Sequence, residues 1–140
     1  MRRFIGSALL ALVLACGGDS TGPKASVVGN YTLRTVNGTN VPAVVFQDAQ
    51  EKDELTAGNI NLSSNNTWTG VLTVRATDLA SGQTINFSAP ANGTFTTNGG
   101  SITLTDALDG SQLTGSVGGG TLSISGDIGL GTVITLVFQR

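Results

Sequence analysis

The chain contains no histidine and only one cysteine in 140 residues. Without histidine there is no Ser-His-Asp or Cys-His device and no imidazole ligand for a metal. One cysteine excludes an intramolecular disulfide. Charge is also scarce. Only 11% of residues are charged, and seven Lys and Arg stand against nine Asp and Glu, for a formal net charge of -2. A surface that binds nucleic acid by neutralising phosphates needs many more cations, so nucleic acid is not an expected partner. Low charge does not mean disorder here, because 39% of residues are hydrophobic and disordered chains combine low hydrophobicity with high net charge. Aromatics are few, at 5%. The longest apolar run, Phe4 to Ala15, holds about a dozen residues, short of the roughly 20 that cross a bilayer as a helix. Serine and threonine are abundant, but no histidine is present to activate them. The only lysines, Lys24 and Lys52, lie in polar segments. The expectation is a single domain that is not an enzyme and carries no cofactor.

What is present begins at the first residues. Met1-Arg2-Arg3 precedes the short apolar run, which ends in small residues. A basic start, a short apolar core and a small-residue end are the parts of a secretory signal peptide. Residues 1–15 are therefore read as a leader. The run ends Val13-Leu14-Ala15-Cys16, which resembles the lipobox of bacterial lipoproteins. The resemblance implies cleavage between Ala15 and Cys16. It also implies a diacylglycerol on the Cys16 thiol and a further acyl chain, of palmitate type, on the new amine. Each buried lipid CH2 contributes about 0.8 kcal/mol, so two or more chains anchor where one does not. Gly17, not Asp, follows the cysteine. By resemblance to the lipoprotein sorting rule this implies the outer membrane, with the body facing the periplasm. The alternative is a plain signal peptide with an incidental cysteine. Loss of the leader removes two of the seven cations and leaves all nine acids, so the charge moves from -2 to -4. A mildly acidic body does not bind an anionic envelope by charge.

Residues 16–26 then read as the lipidated cysteine and a flexible linker, small and polar with one proline. At about 3.3 Å per residue, ten residues could lift the body up to ~30 Å from its anchor.

Residues 27–140 form the body, and their hydrophobic period is two. Tyr31 and Leu33 alternate with Asn30, Thr32 and Arg34; Ile60 and Leu62 alternate with Asn59, Asn61 and Ser63. Trp68, Leu72 and Val74 share one parity, as do Ile85 and Phe87, Ile102 and Leu104, Leu122 and Ile124, and Ile134, Leu136 and Phe138. This is the pattern of strands with one face in a core and one in water. Between the runs stand turn-forming clusters: Asn37-Gly38, Ser63 to Asn66, Ser81-Gly82, Asn92-Gly93, Asn98 to Gly100, Asp109-Gly110, Gly118 to Gly120 and Gly126 to Gly131. Short connections favour pairing of sequential strands. The expected fold is all-β: an antiparallel up-and-down meander of about 8–10 strands closing into a barrel, with a β-sandwich as the alternative. Asp48 to Leu55 (DAQEKDEL) is expected to be a turn of helix or a polar loop.

Chemistry-bearing clusters are sparse. Asp48, Glu51, Asp53 and Glu54 crowd one segment, but Lys52 sits among them and the EF-hand spacing is absent. The Asp106 to Gly110 stretch also lacks a calcium-loop spacing and reads as a hairpin turn. No metal site is expected. Gly118 to Gly120 precedes a strand, so it lacks the helix N-terminus that a phosphate loop exploits.

Gly29-Asn30-Tyr31-Thr32-Leu33, followed by Val36-Asn37-Gly38 and closed by a last strand ending at Arg140, resembles the small bacterial lipocalin-like lipoproteins. Tyr31 stands where the lipocalin Gly-x-Trp motif has tryptophan. The same opening resembles META-type envelope domains, also compact β bodies. The lipocalin resemblance implies a barrel cup that binds a small hydrophobic ligand, with a late basic residue near the first-strand aromatic. Tyr31, Trp68, Phe87 and Phe138 are the expected lining of that cup. The other expectation, from a different class, is a structural or protein-interaction lipoprotein with a filled barrel and no ligand.

Overall fold

The computed structural model describes residues 26–140. The expected leader 1–15, the Ala15–Cys16 junction and the linker as far as residue 25 lie outside the described residues. Among the described residues there are ten strands and no helix: β1 (Gly29–Val36), β2 (Thr39–Asn40), β3 (Ala43–Gln47), β4 (Glu51–Leu62), β5 (Thr67–Asp78), β6 (Thr84–Asn98), β7 (Ser101–Asp106), β8 (Gln112–Gly118), β9 (Thr121–Asp127) and β10 (Val133–Gln139). From β4 to β10 each strand pairs antiparallel with the next. β10 pairs with β1, and the first half of β1 (Gly29 to Thr32) pairs with the end of β4 (Asn59 to Leu62). That last pairing closes eight strands into a barrel, and the two remaining strands, β2 and β3, sit on the edges of β1 and β4 where these two diverge. The fold is thus the barrel meander and not the sandwich.

The register gives the barrel two unlike ends. The start of β1, the end of β10 and the turns at Ser63–Asn66, Gly99–Gly100 and Gly119–Gly120 share one end. The opposite end carries the β3–β4, β5–β6, β7–β8 and β9–β10 connections. The first end is closed. Tyr31, Leu62, Phe95, Ile102, Val117, Leu122 and Phe138 are buried in one continuous core, each contributing roughly 1.5–3 kcal/mol of transfer free energy. Tyr31 donates its phenol hydrogen to the Val27 carbonyl at 2.7 Å. The Arg140 guanidinium stacks over its ring, 5.3 Å from the centroid, and donates to the Val28 carbonyl at 2.9 Å. Gly29 makes this possible. Its φ of +146° is one that residues with a side chain rarely adopt, and a Cβ there would meet Arg140 Cδ at 3.1 Å. Burial pushes the Tyr31 phenol above its ordinary value, with Arg140 pulling it partly back.

Three expectations are corrected. Asp48 to Leu55 is neither helix nor loop. After a turn held by Asp48, whose carboxylate accepts the Gln50 and Glu51 N–H groups, β4 begins at Glu51. Alternation was hidden there by a bulge at Thr56, where the β4–β5 register slips between Leu55 and Ala57. The slip moves the buried parity from Leu55 to Gly58 and Ile60. Asn92-Gly93 is not a turn but lies inside β6, opposite Thr69 and Trp68. Finally, Ile85 and Phe87 share one face as expected but are exposed, at 66% and 48%. Their half of β6 runs on past the end of β7, so no second layer covers it.

Candidate ligand cavity

The interior above the packed end is not filled. A cavity of about 420 Å³ rests on Trp68, Leu104, Leu136 and Phe138 and is walled by Val71, Leu72 and Ala89 to Ala91 of β5 and β6. Its rim is made by Leu108, Asp109 and Ser111 of the β7–β8 connection and by Asp127, Ile128 and Gly129 of the β9–β10 connection. A second, smaller cavity of about 150 Å³ continues toward the open end, lined by Val45, Leu55, Val74, Phe87 and Leu130. The two share Leu72, Ala89 and Ile128, so they form one apolar trough along the inner face of β5 and β6. The larger part falls in the range of small-molecule sites, about 300–1,000 Å³.

Trp68 shows how the floor is built. Its side chain lies directly opposite Gly93 in the β5–β6 pairing. Its Nε1–H crosses that glycine to donate to the Thr105 carbonyl on β7 at 3.2 Å. A Cβ at Gly93 would collide with the Thr105 backbone and lie 2.9 Å from Trp68 Nε1. The glycine therefore belongs to strand packing and not to a turn. With its one donor satisfied and only 5% exposed, the indole presents only apolar surface upward.

The rim carboxylates are structural as well as charged. Asp106 accepts the Leu108 N–H at 2.6 Å and Asp109 the Ser111 N–H at 2.8 Å. Asp127 accepts from Gly129, Leu130 and Gly131. These bonds fix both rim connections. Asp109 is held below the usual carboxylate range, chiefly by the Ser111 N–H. Among the described residues no three His, Cys, Asp or Glu side chains converge as a metal site would require. Asp53 lines the smaller cavity and its Oδ1 is buried with no hydrogen-bond partner. Its neighbour Glu54 points the other way, held at 2.8 Å by Arg75 and at 3.4 Å by Lys52.

Of the four expected lining residues, Trp68 and Phe138 meet at the floor of the larger cavity and Phe87 stands at the mouth of the smaller one. Tyr31 lines neither. Its hydroxyl and its ring face are taken by Val27 and Arg140, so it closes the barrel on the far side of the floor. The expected closeness of a late basic residue to the first-strand aromatic is what Arg140 and Tyr31 display. Sequence reading missed Ile128 and Leu130. Their signal was apolar residues interleaved with the glycines of a turn cluster, where solvent exposure alone would favour polar ones. No protein-family model, no curated protein and no solved structure matches the chain.

Proposed function

We propose that this chain is a cell-envelope lipoprotein, tethered through Cys16 and facing the periplasm from the outer membrane, whose barrel holds a small hydrophobic ligand. The observation that carries the ligand reading is the continuous apolar trough above Trp68 and Phe138, open at one end. A barrel serving only as a structural body has no need of unfilled interior, since cavities cost roughly 24 cal/mol per Å³. The outward residues also fit a body in water. On the outside of β9 and β10, Ser123, Ser125 and Thr135 stand among Val133 and Val137, with Ser125 and Thr135 hydrogen-bonded at 2.7 Å, a mixed face where a membrane-spanning barrel carries an apolar band. The anchor rests on the Val13-Leu14-Ala15-Cys16 resemblance. The first described residues leave from the closed end, so a tether there lets the trough open away from the membrane.

The test uses N-phenyl-1-naphthylamine, an uncharged probe that fluoresces in apolar surroundings. Titration should give saturable binding, and Leu72→Trp, which fills the segment common to both cavities, should weaken it at least about tenfold with the strand spectrum intact. Equal binding by both proteins would refute the ligand reading. Separately, Cys16→Ser should abolish lipid labelling in the native host; persistent labelling would refute the anchor.

A further inference from the structure

β6 has two different halves. Gly93 to Asn98 is paired by β7, and Gly93 and Thr94 by β5 as well. Thr84 to Asn92 is paired by β5 alone among the described residues. The direction of the peptide groups follows from two bonds. The Phe95 N–H donates to Asn66 on the β5 side, and the Asn92 carbonyl accepts the Ala107 N–H on the β7 side. Peptide groups alternate along a strand, and the β5 register runs unbroken from Thr94 to Thr84. Thr84, Asn86, Ser88 and Pro90 therefore turn their peptide groups toward the free edge. Pro90 sits in the one set where a missing N–H costs the β5 ladder nothing.

This edge lacks most of the usual protections. Natural edge strands carry charge, proline, bulges or a cover, and of these only Pro90 is present, toward one end. Residues 84–92 (TINFSAPAN) contain no charged side chain, their pairing with β5 has no bulge, and Ile85 and Phe87 are the exposed apolar side chains of one face. We propose that the edge pairs with its own counterpart in a second copy of this chain, antiparallel about a two-fold axis at Asn86. The edge is self-complementary in that register. Asn86 meets Asn86, and Thr84 meets Ser88 on either side, giving about six main-chain hydrogen bonds. Pro90 falls past the last pair, so no donor is missing. On the other parity Ile85 lies opposite Phe87 twice, which covers the apolar side chains that the isolated chain leaves in water. The segment is neutral although the described body is acidic, so two copies meet here without bringing like charges together. Because directly opposed residues share a face, both troughs open on the same face of the joined sheet. This inference does not depend on a ligand.

Sedimentation equilibrium of the full chain in mild detergent should show a monomer–dimer equilibrium. Ser88→Pro deletes an N–H that faces only the free edge. It should weaken the dimer roughly tenfold or more, leaving the strand spectrum unchanged. Asn86→Cys, with Cys16→Ser so that no other thiol is present, should cross-link under mild oxidation. The two Cα atoms would stand ~5.5 Å apart, within disulfide range. Asn98→Cys, paired with Ser101 of β7 at the other end of the strand, should not. A wild type that stays monomeric at every concentration overturns the proposal, as it would if the edge serves an unrelated strand. A dimer indifferent to Ser88→Pro, or an Asn86→Cys protein that fails to cross-link, overturns it as well.

Discussion

The closed and open ends of the barrel are written in the same code and meet different fates. At the closed end, Tyr31 and Leu33 alternate with polar neighbours, and so do Ile85 and Phe87 at the open end. The first pair is buried and the second is exposed. The difference is not in the side chains but in what stands across from them. β1 faces the filled interior between β4 and β10, whereas the first half of β6 continues beyond β7 with a neighbour on one side only. Alternation reports that a strand has an apolar face; whether that face is covered depends on strands far away in sequence. The closed end is therefore expected to carry stability, and the open end the binding surfaces.

Truncations test this division most severely. Tyr31→Ala removes a fully buried ring, its bond to Val27 and the platform under Arg140. It should cost about 3–5 kcal/mol, read as a fall in the urea midpoint. Phe87→Ala, half-exposed at the trough mouth, should cost less than about 1 kcal/mol by the same measure but weaken naphthylamine binding. If the two truncations cost the same, the contrast between the ends fails.

Gly93→Ala sharpens the boundary between the ends. The added methyl has nowhere to go, because the Thr105 backbone and the Trp68 indole occupy the space. Accommodating it means moving β7 or breaking the Trp68–Thr105 bond. The expected cost is about 1–3 kcal/mol, with a change in tryptophan emission, since Trp68 is the only tryptophan. Gly82→Ala, in an open-end turn with nothing around its Cβ position, should leave that emission unchanged. An unaltered Trp68 signal in Gly93→Ala would mean that the floor is not built as described.

What could be read from the sequence follows from the same contrast. The barrel meander was legible because Leu104, Leu122, Ile124, Ile134 and Phe138 keep strict alternation and the turns between them are short. The β4 start was not, because the Thr56 bulge breaks the period and Glu51 to Glu54 look like loop residues when read singly. Gly93 was misread for a related reason. Asn-Gly is a turn signal locally, and only the Trp68 ring on the neighbouring strand reveals why glycine is needed there. Trp68 and Phe138 could be picked as floor residues from size and parity. Tyr31 could not be separated from them, because the bonds that take it out of the cavity come from Val27 and from Arg140 at the far end of the chain. Ile128 and Leu130 become lining residues only once the β9–β10 connection is seen to fold over the trough.

A small effect is also expected on the outer face of the open end. Glu54 is held below the usual carboxylate range, first by its hydrogen bond from Arg75 and further by Lys52, with burial opposing. A carboxyl whose folded value lies below its unfolded one stabilises the fold fully above the unfolded value. That contribution is lost as pH falls through the folded value. Glu54→Gln should therefore cost about 1 kcal/mol at pH 7, and the gap between the two proteins should shrink as pH falls below the ordinary 4.5. The cost stays small because Arg75 and Lys52 reach water and are not stranded by the change, their side chains being 38% and 29% exposed. The open end can thus lose an ion pair with little loss of stability, whereas the closed end cannot lose the Tyr31 ring. A Glu54→Gln gap that is constant from pH 7 to pH 3 would mean that the pair acts by shape and not by charge.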